Sequence, residues 1–408
     1  MTELLPILNN LAWPVAIAIA WIAGEFGQRY TNLPRISFYG LVGFALGAPQ
    51  LGVLPVPDAG AIPMLADVAF GLILFELGYR INLRWLRNNP WIGVSGLVES
   101  IATFIAVYFI AVAFGTPQLT SLMLASLSMA TSPATVVRVI NEQRSSGQVT
   151  ERVLHLSAQN CVLAVFAFNA VIGFWIFRTF EDLGDALWNS LVLLAVSALT
   201  GAVFGLVVPA LLRAIGNPRH DATVAFAIAV ILLVAISYAG GLSPVVASLA
   251  FGLVARHRRV AFSQAQRNFG ALGELLTILL FVFAASTLDW EKVAAGIWLA
   301  IAVVIARLLT KTAGVTAFAH LSGVSWRKGF LAGVALAPLS VFVILLLEHA
   351  RLAGVVVVEE LRSVAAVTML LEIFGPIIIQ RALMWARETT EMRPEARPEV
   401  RSENHHAA

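Results

Sequence analysis

The sequence predicts an all-α integral membrane protein of about thirteen transmembrane helices, built as two inverted six-helix repeats with a broken helix in each. Three observations predict it. Hydrophobic residues make up 59% of the chain and charged residues 12%, against about 25% charged in ordinary globular domains. Landmarks in three different apolar segments recur at one spacing: Gly47 and Gly252, Trp85 and Trp290, and Pro133 and Pro338 are each 205 residues apart. Arginine-rich loops alternate with loops that hold few basic residues.

The apolar segments fall at 10–29, 34–52, 62–80, 90–114, 117–140, 153–178, 187–215, 221–239, 242–257, 268–289, 293–320, 329–350 and 359–386. Each is long enough to approach or cross about 30 Å of hydrocarbon. They must be helices, because backbone polar groups in lipid need partners inside their own segment. A β-barrel would show short alternating segments, and these are continuous. A soluble helical protein would need polar helix faces that these segments lack.

Charge sets the expected orientation. Arg29 and Arg35 follow the first span, and Arg80, Arg84 and Arg87 the third. Arg138, Arg144 and Arg152 follow the fifth, and Arg213 and Arg219 the seventh. Arg256, Arg258, Arg259 and Arg267 follow the ninth, and Arg327 with Lys328 the eleventh. Positive loops stay in the cytoplasm. This places the amino terminus outside and the carboxyl terminus in the cytoplasm of a bacterial-type inner membrane. Seven spans separate each landmark from its copy, so the two halves run in opposite membrane directions. The expected organisation is a transmembrane domain over 1–386, with repeat one at 10–178, a linker helix at 187–215 and repeat two at 221–386. Residues 387–408 are rich in Glu, Arg and Pro and read as a disordered cytoplasmic tail. The first apolar segment lacks a basic leader and reads as a retained span. One cysteine excludes an internal disulfide. The net charge of +3 follows from the basic loops and needs no nucleic-acid partner.

An internal repeat with helices broken by proline is the pattern of a secondary transporter. Proline removes a backbone donor and frees a carbonyl. Thr131-Ser132-Pro133 interrupts the fifth span, and Ala337-Pro338-Leu339-Ser340 interrupts the twelfth. Two breaks face to face would offer carbonyls, hydroxyls and helix-terminal dipoles near mid-membrane. A plain proline kink is the alternative. The sixth span carries Gln159-Asn160-Cys161 and Asn169, which either serve the breaks or make interhelical hydrogen bonds.

Charges inside spans are expensive and mark function by default. Glu76, Glu99 and Glu274 are candidate coupling acids or linings of a cytoplasmic funnel; Glu25, Glu76 and Glu274 can equally snorkel to water. Arg307 and Lys311 share one face of the eleventh span. Arg307 with Glu372 is a candidate structural ion pair, and Lys311 lies closer to the cytoplasm, where it can snorkel. His155, His220, His257, His320 and His349 stand near span ends, where an interfacial role is the default. No metal-ligand spacing and no nucleophile–base pair stands out, so neither an enzyme nor a cofactor is expected, and no metal beyond a transported cation.

Phe75-Glu76-Leu77-Gly78 followed by Asn82-Leu83-Arg84, Ala130-Thr131-Ser132-Pro133, Ser157-Ala158-Gln159-Asn160-Cys161, Gly241-Leu242-Ser243-Pro244 through Phe251-Gly252-Leu253, Glu274-Leu275-Leu276-Thr277, Arg307 and Ser325-Trp326-Arg327 stand in a telling order. Together they resemble the monovalent cation–proton antiporter superfamily, the sodium–proton exchangers and their Kef-type potassium relatives, over about residues 8–386. The resemblance implies crossed broken helices, exchange of sodium or potassium for protons by alternating access, and a homodimer. Its dimer face would use the first, second, eighth and ninth helices, with Gly40, Gly43 and Gly47 permitting close packing. The implied ion site joins Thr131, Ser132, Asn160, Cys161, Pro338 and Ser340.

The departures from the family pattern bear on coupling. The sixth-helix aspartate that exchanges cation for proton matches Cys161, the fifth-helix aspartate matches Ser132, and the sixth-helix glutamate matches Leu156. A thiol, with a reference pKa of about 8.5, is a poor proton carrier at neutral pH. Three readings follow: an antiporter whose coupling acid has moved to Glu76 or Glu99, a transporter of another organic or anionic solute, or a cation channel or membrane sensor.

Overall fold

The structure is a computed structural model, and it describes residues 4–55, 61–175, 183–215, 222–257, 262–339, 343 and 362–389. Among them no strand occurs. Eight helical segments are long and apolar enough to cross a membrane, and four shorter apolar helices pack among them. The protein is thus a multi-pass all-α membrane protein. The expected total of thirteen spans depends in part on residues 340–361, most of which lie outside the described set.

The first helices are α1 (Leu4–Thr31), α2 (Arg35–Leu46) and α3 (Ala61–Arg80). A short helix the sequence reading omitted, α4 (Leu83–Asn88), leads to α5 (Pro90–Ala113). It starts because the Asn82 side chain accepts the N–H groups of Arg84 and Trp85 at 3.1 and 3.3 Å. The fifth apolar segment is two helices, α6 (Gln118–Ser128) and α7 (Pro133–Glu142). Pro133 opens α7 at the position where a missing N–H is harmless, and the Ser132 hydroxyl caps it by accepting from Thr135 N–H at 3.3 Å.

Next come α8 (Gln148–Trp175), α9 (Leu183–Ile215), α10 (Ala222–Ala239) and α11 (Pro244–His257). They are followed by α12 (Phe262–Ser286), α13 (Trp290–Ala317), α14 (Trp326–Val334) and α15 (Arg362–Trp385). Asp289 and Ser325 cap α13 and α14. After α14 the chain closes a turn at Ala335 and Leu336 and is no longer helical from Ala337 to Leu339.

Burial orders these helices from centre to edge. The segment containing α6 and α7 is 94% buried, whereas α9 is 22% buried and turns its apolar side chains outward. The broken segment is therefore the middle of the protein, and α9 lies at its edge. Helix pairs α2–α12, α3–α11, α5–α13 and α9–α11 are in contact. Phe75, Phe226 and Phe251 form an aromatic cluster joining α3, α10 and α11, with ring centroids 4.6 to 5.8 Å apart.

Close approach explains several glycines. A methyl group on Gly43 or Gly47 would meet the backbone of Val282 or Ser286 in α12. These glycines were expected at a subunit interface. They instead seat α2 on α12 within one chain, because a glycine pair lets two backbones touch. A methyl on Gly252 would overlap the Phe75 carbonyl oxygen. Gly252→Val is therefore expected to lower stability by about 3 kcal/mol through forced separation of α3 and α11. Thermal unfolding of the detergent-purified protein checks this, and an unchanged midpoint would contradict it.

The boundary expected at 387 for a disordered tail moves. Glu388 and Thr389 are buried. The Glu388 carboxylate accepts the N–H groups of Val149 and Thr150 and the Thr150 hydroxyl, each at 2.8 Å. A carboxylate at a helix start satisfies donors that no turn of helix can reach. Gly147 is glycine because a methyl there would collide with this side chain. Residues 390–408 lie outside the described residues.

Candidate functional site

The two breaks meet. Ser132 N–H donates to Pro338 carbonyl at 2.9 Å, and the Thr131 hydroxyl donates to Leu336 carbonyl at 3.0 Å. Asn160 of α8 closes the crossing: its amide donates to the Thr131 hydroxyl at 3.1 Å and accepts from the Ser100 hydroxyl at 3.0 Å. The Cys161 thiol donates to the Thr131 carbonyl at 3.2 Å. Thr131, Ser132, Asn160 and Cys161 are fully buried. Thus the structure brings together Thr131, Ser132, Pro133, Asn160, Cys161 and Pro338. Ser340 lies outside the described residues.

Helix breaks free carbonyls, and here every carbonyl from Met129 to Thr131 and from Leu336 to Pro338 has a donor. Lys311 donates to Met129 O at 2.9 Å. Arg307 donates through Nη2 to Ala130 O at 3.1 Å and Ala337 O at 3.2 Å. Cys161, Thr131 and Ser132 occupy the other three. The electrostatics explain why cations stand here. Helices α6 and α14 both end at the crossing, and a helix carboxyl end carries partial negative charge. Arg307 and Lys311 bring two positive charges to those two ends.

Lys311 does not snorkel. Its ammonium is fully buried and lies 2.9 Å from Glu99 Oε2. Among the described residues this is the one ion pair with both side chains fully buried. Glu99 Oε1 has no hydrogen-bond partner among the described residues. Gly314 of α13 packs directly on the Glu99 backbone, and the Thr103 and Thr310 hydroxyls sit 2.9 Å apart one turn away. The α5–α13 contact therefore holds the pair in place. The expected partnership of Arg307 with Glu372 falls on a side chain outside the described residues.

The remaining acids are bound to arginines. Glu76 Oε1 accepts from Arg80 at 2.9 Å and from Asn141 Nδ2 at 2.9 Å, with Arg138 4.0 Å from Oε2. Arg80 also bonds Asn141. Glu76, expected as a coupling or funnel acid or a snorkelling side chain, is the centre of a polar knot joining α3 to α7. Glu274 lies 3.2 Å from Arg35 Nη1, and Glu25 lies 2.6 Å from the same atom. Glu142, which sequence reading passed over, accepts the Arg35 N–H at 3.4 Å. One arginine thus gathers three carboxylates from α1, α7 and α12. The His155 ring is also buried and bonded rather than interfacial.

Crossed broken helices, sealed by two buried cations and one buried acid, define a multi-pass membrane transporter by fold and site. The sodium/hydrogen exchanger transmembrane family model matches residues 15–385, and the chain belongs to that family. The fold is similar to that of the sodium proton antiporter MjNhaP1 from Methanocaldococcus jannaschii. The pH 8 structure of that protein matches with TM-score 0.67 at 14% identity, covering 92% of this chain and 95% of the other. Its electron-microscopy map gives TM-score 0.70 at 15% identity, covering 91% and 94%. No curated protein sequence matches the chain.

Proposed function

We propose that this protein exchanges a monovalent cation, sodium or potassium, for protons by alternating access, with Glu99 and Lys311 as its coupling pair. Family membership supports cation–proton antiport. The observation that carries the coupling assignment is the buried Glu99–Lys311 pair seated on the Met129 carbonyl of the first break. A cation that takes the ammonium's place between Glu99 and that carbonyl leaves the Lys311 ammonium without acceptors. The ammonium then releases its proton to water and becomes a neutral amine. One cation binds as one proton leaves, so the pair goes from neutral to −1 and the bound cation restores the charge of the site. Asn160, Thr131 and Ser132 position the break, and Arg307 keeps a second positive charge on the helix ends throughout. Cys161 donates a hydrogen bond and carries no transported proton.

The inverted-repeat organisation belongs to this reading: 10–178 and 221–386 as halves, and 187–215 as linker. It is supported by the bond between Thr131 and Leu336, which are themselves 205 residues apart. The paired contacts α2–α12 and α3–α11, which exchange under that offset, also support it. A cytoplasmic carboxyl terminus in a bacterial-type inner membrane follows from the arginine loops. A homodimer follows from the family resemblance; cross-linking in native membranes that traps only monomer counts against it.

Proteoliposomes with a pH-reporting dye test the function. Adding sodium or potassium outside acid-loaded vesicles is expected to discharge the gradient. Cation flux that leaves the dye unmoved would make the protein a channel, and no response to either ion would point to another solute.

A further inference from the structure

His155 lies in the second turn of α8 and is 4% exposed. Its Nε2 accepts the backbone N–H of Asn82 at 3.1 Å. Its Nδ1 lies 2.7 Å from the Glu151 carbonyl oxygen. A backbone N–H only donates, so Nε2 carries no proton; a carbonyl only accepts, so Nδ1 carries one. The contacts therefore select the neutral ring and one tautomer. A second proton would set N–H against N–H across 3.1 Å, and the bond would have to break.

The bond has a strategic position. Asn82 starts α4, and α4 is the covalent link between α3, which packs on α11 and α12, and α5, which packs on α13 and α6. The Trp85 ring of α4 rests on the His155 ring at 4.7 Å. The Arg152 guanidinium stands 5.6 Å from the same indole. Helix α8 carries Asn160 and Cys161 just beyond His155. The bond thus ties the α3–α5 link to the helix that bears the ion site.

The charges around the ring are few. Glu151 and Arg152 are on α8 itself, and Glu151 Oε2 is 4.0 Å from Nδ1. Arg256 of α11 donates to the Tyr79 and Arg80 carbonyls at the end of α3 and acts on the ring from that side. Arg84 and Arg87 of α4 are exposed. A cavity of about 320 Å³, lined by Trp85, Asn89, Glu151 and Arg152 among others, opens beside the neighbours of the ring.

We propose that His155 is a second proton-binding site, separate from Glu99 and Lys311, and that its protonation releases α4 from α8. Acid on the side of the basic loops then frees the α3–α5 link and with it the helix carrying Asn160 and Cys161. The effect on transport rests on the antiport reading; the release itself does not.

Hydrogen–deuterium exchange on the purified protein tests the release, with labelling times scaled for the intrinsic pH dependence of exchange. From about pH 8 to about pH 5, amides in residues 81–89 are expected to exchange about five-fold faster, the loss of one hydrogen bond. His155→Gln keeps an acceptor that does not titrate, so its exchange in that stretch is expected to stay constant. In vesicles, His155→Gln is expected to flatten the dependence of rate on internal pH while cation dependence persists. No acceleration in the wild type, or the same acceleration in His155→Gln, overturns the proposal. Acceleration in a protein that shows no antiport sustains the proton site and sinks the antiport reading instead.

Discussion

Glu99→Gln is expected to abolish cation-dependent proton movement and to lower stability at once. The substitution keeps the shape of the side chain and removes the charge that Lys311 faces. An ammonium left unpaired in a dry interior costs about 3–5 kcal/mol. Those two losses have different causes, and a second variant separates them. In Glu99→Gln/Lys311→Met the ammonium is gone and Arg307 keeps its two carbonyls, so part of the stability is expected to return. Coupling is not expected to return, because neither the acid nor the amine is present. Thermal unfolding together with the proteoliposome assay reads both quantities. A double variant that exchanges cations for protons like the wild type would remove Glu99 and Lys311 from the mechanism.

Cys161→Asp is expected to add a pH-dependent cation response that the wild type lacks at this position. The thiol donates to the Thr131 carbonyl. A protonated carboxyl can make the same bond, but a carboxylate cannot, since oxygen would then face oxygen. The ionised side chain needs a cation between itself and that carbonyl, with the Asn160 amide alongside. Proton and metal ion then compete for one group, and apparent cation affinity is expected to rise about tenfold per pH unit below the acid's own titration. Cation-induced dye responses across a pH series measure this. A response to sodium and potassium identical to the wild type at every pH would show that the crossing no longer binds cations.

Much of the fold was readable before any coordinate. Apolar length identifies helices in lipid because only one backbone geometry satisfies itself there. Pro133 and Pro338 marked the breaks because they recur at one offset; proline alone does not, since Pro14, Pro209 and Pro376 sit inside continuous helices. The site was legible in its polar residues and misread in its charges. Arg307 and Lys311 sat visibly on one face. Their partners could not be found in sequence, because Glu99 lies 212 residues from Lys311 and the carbonyls that bind Arg307 have no side-chain signature. Lys311 looked close enough to the cytoplasm to snorkel, yet α13 buries it fully. Glu76 read as a coupling or funnel acid because Arg138 and Asn141 reach it from another helix. His155 looked interfacial because sequence shows depth along a helix and not which neighbour covers it. Gly43 and Gly47 signalled close packing correctly; sequence alone could not say whether the other backbone belonged to the same chain.

The Glu388 contact changes how the end of the protein is to be handled. Its carboxylate serves as the missing first turn of α8, supplied from more than two hundred residues away. A shortened form that stops after Trp385 would leave the Val149 and Thr150 amides open, and each buried donor without a partner costs about 1–3 kcal/mol. Trimming the charged tail to aid purification would therefore loosen the helix that holds Asn160. A cut or fusion placed after Thr389 leaves that helix start intact.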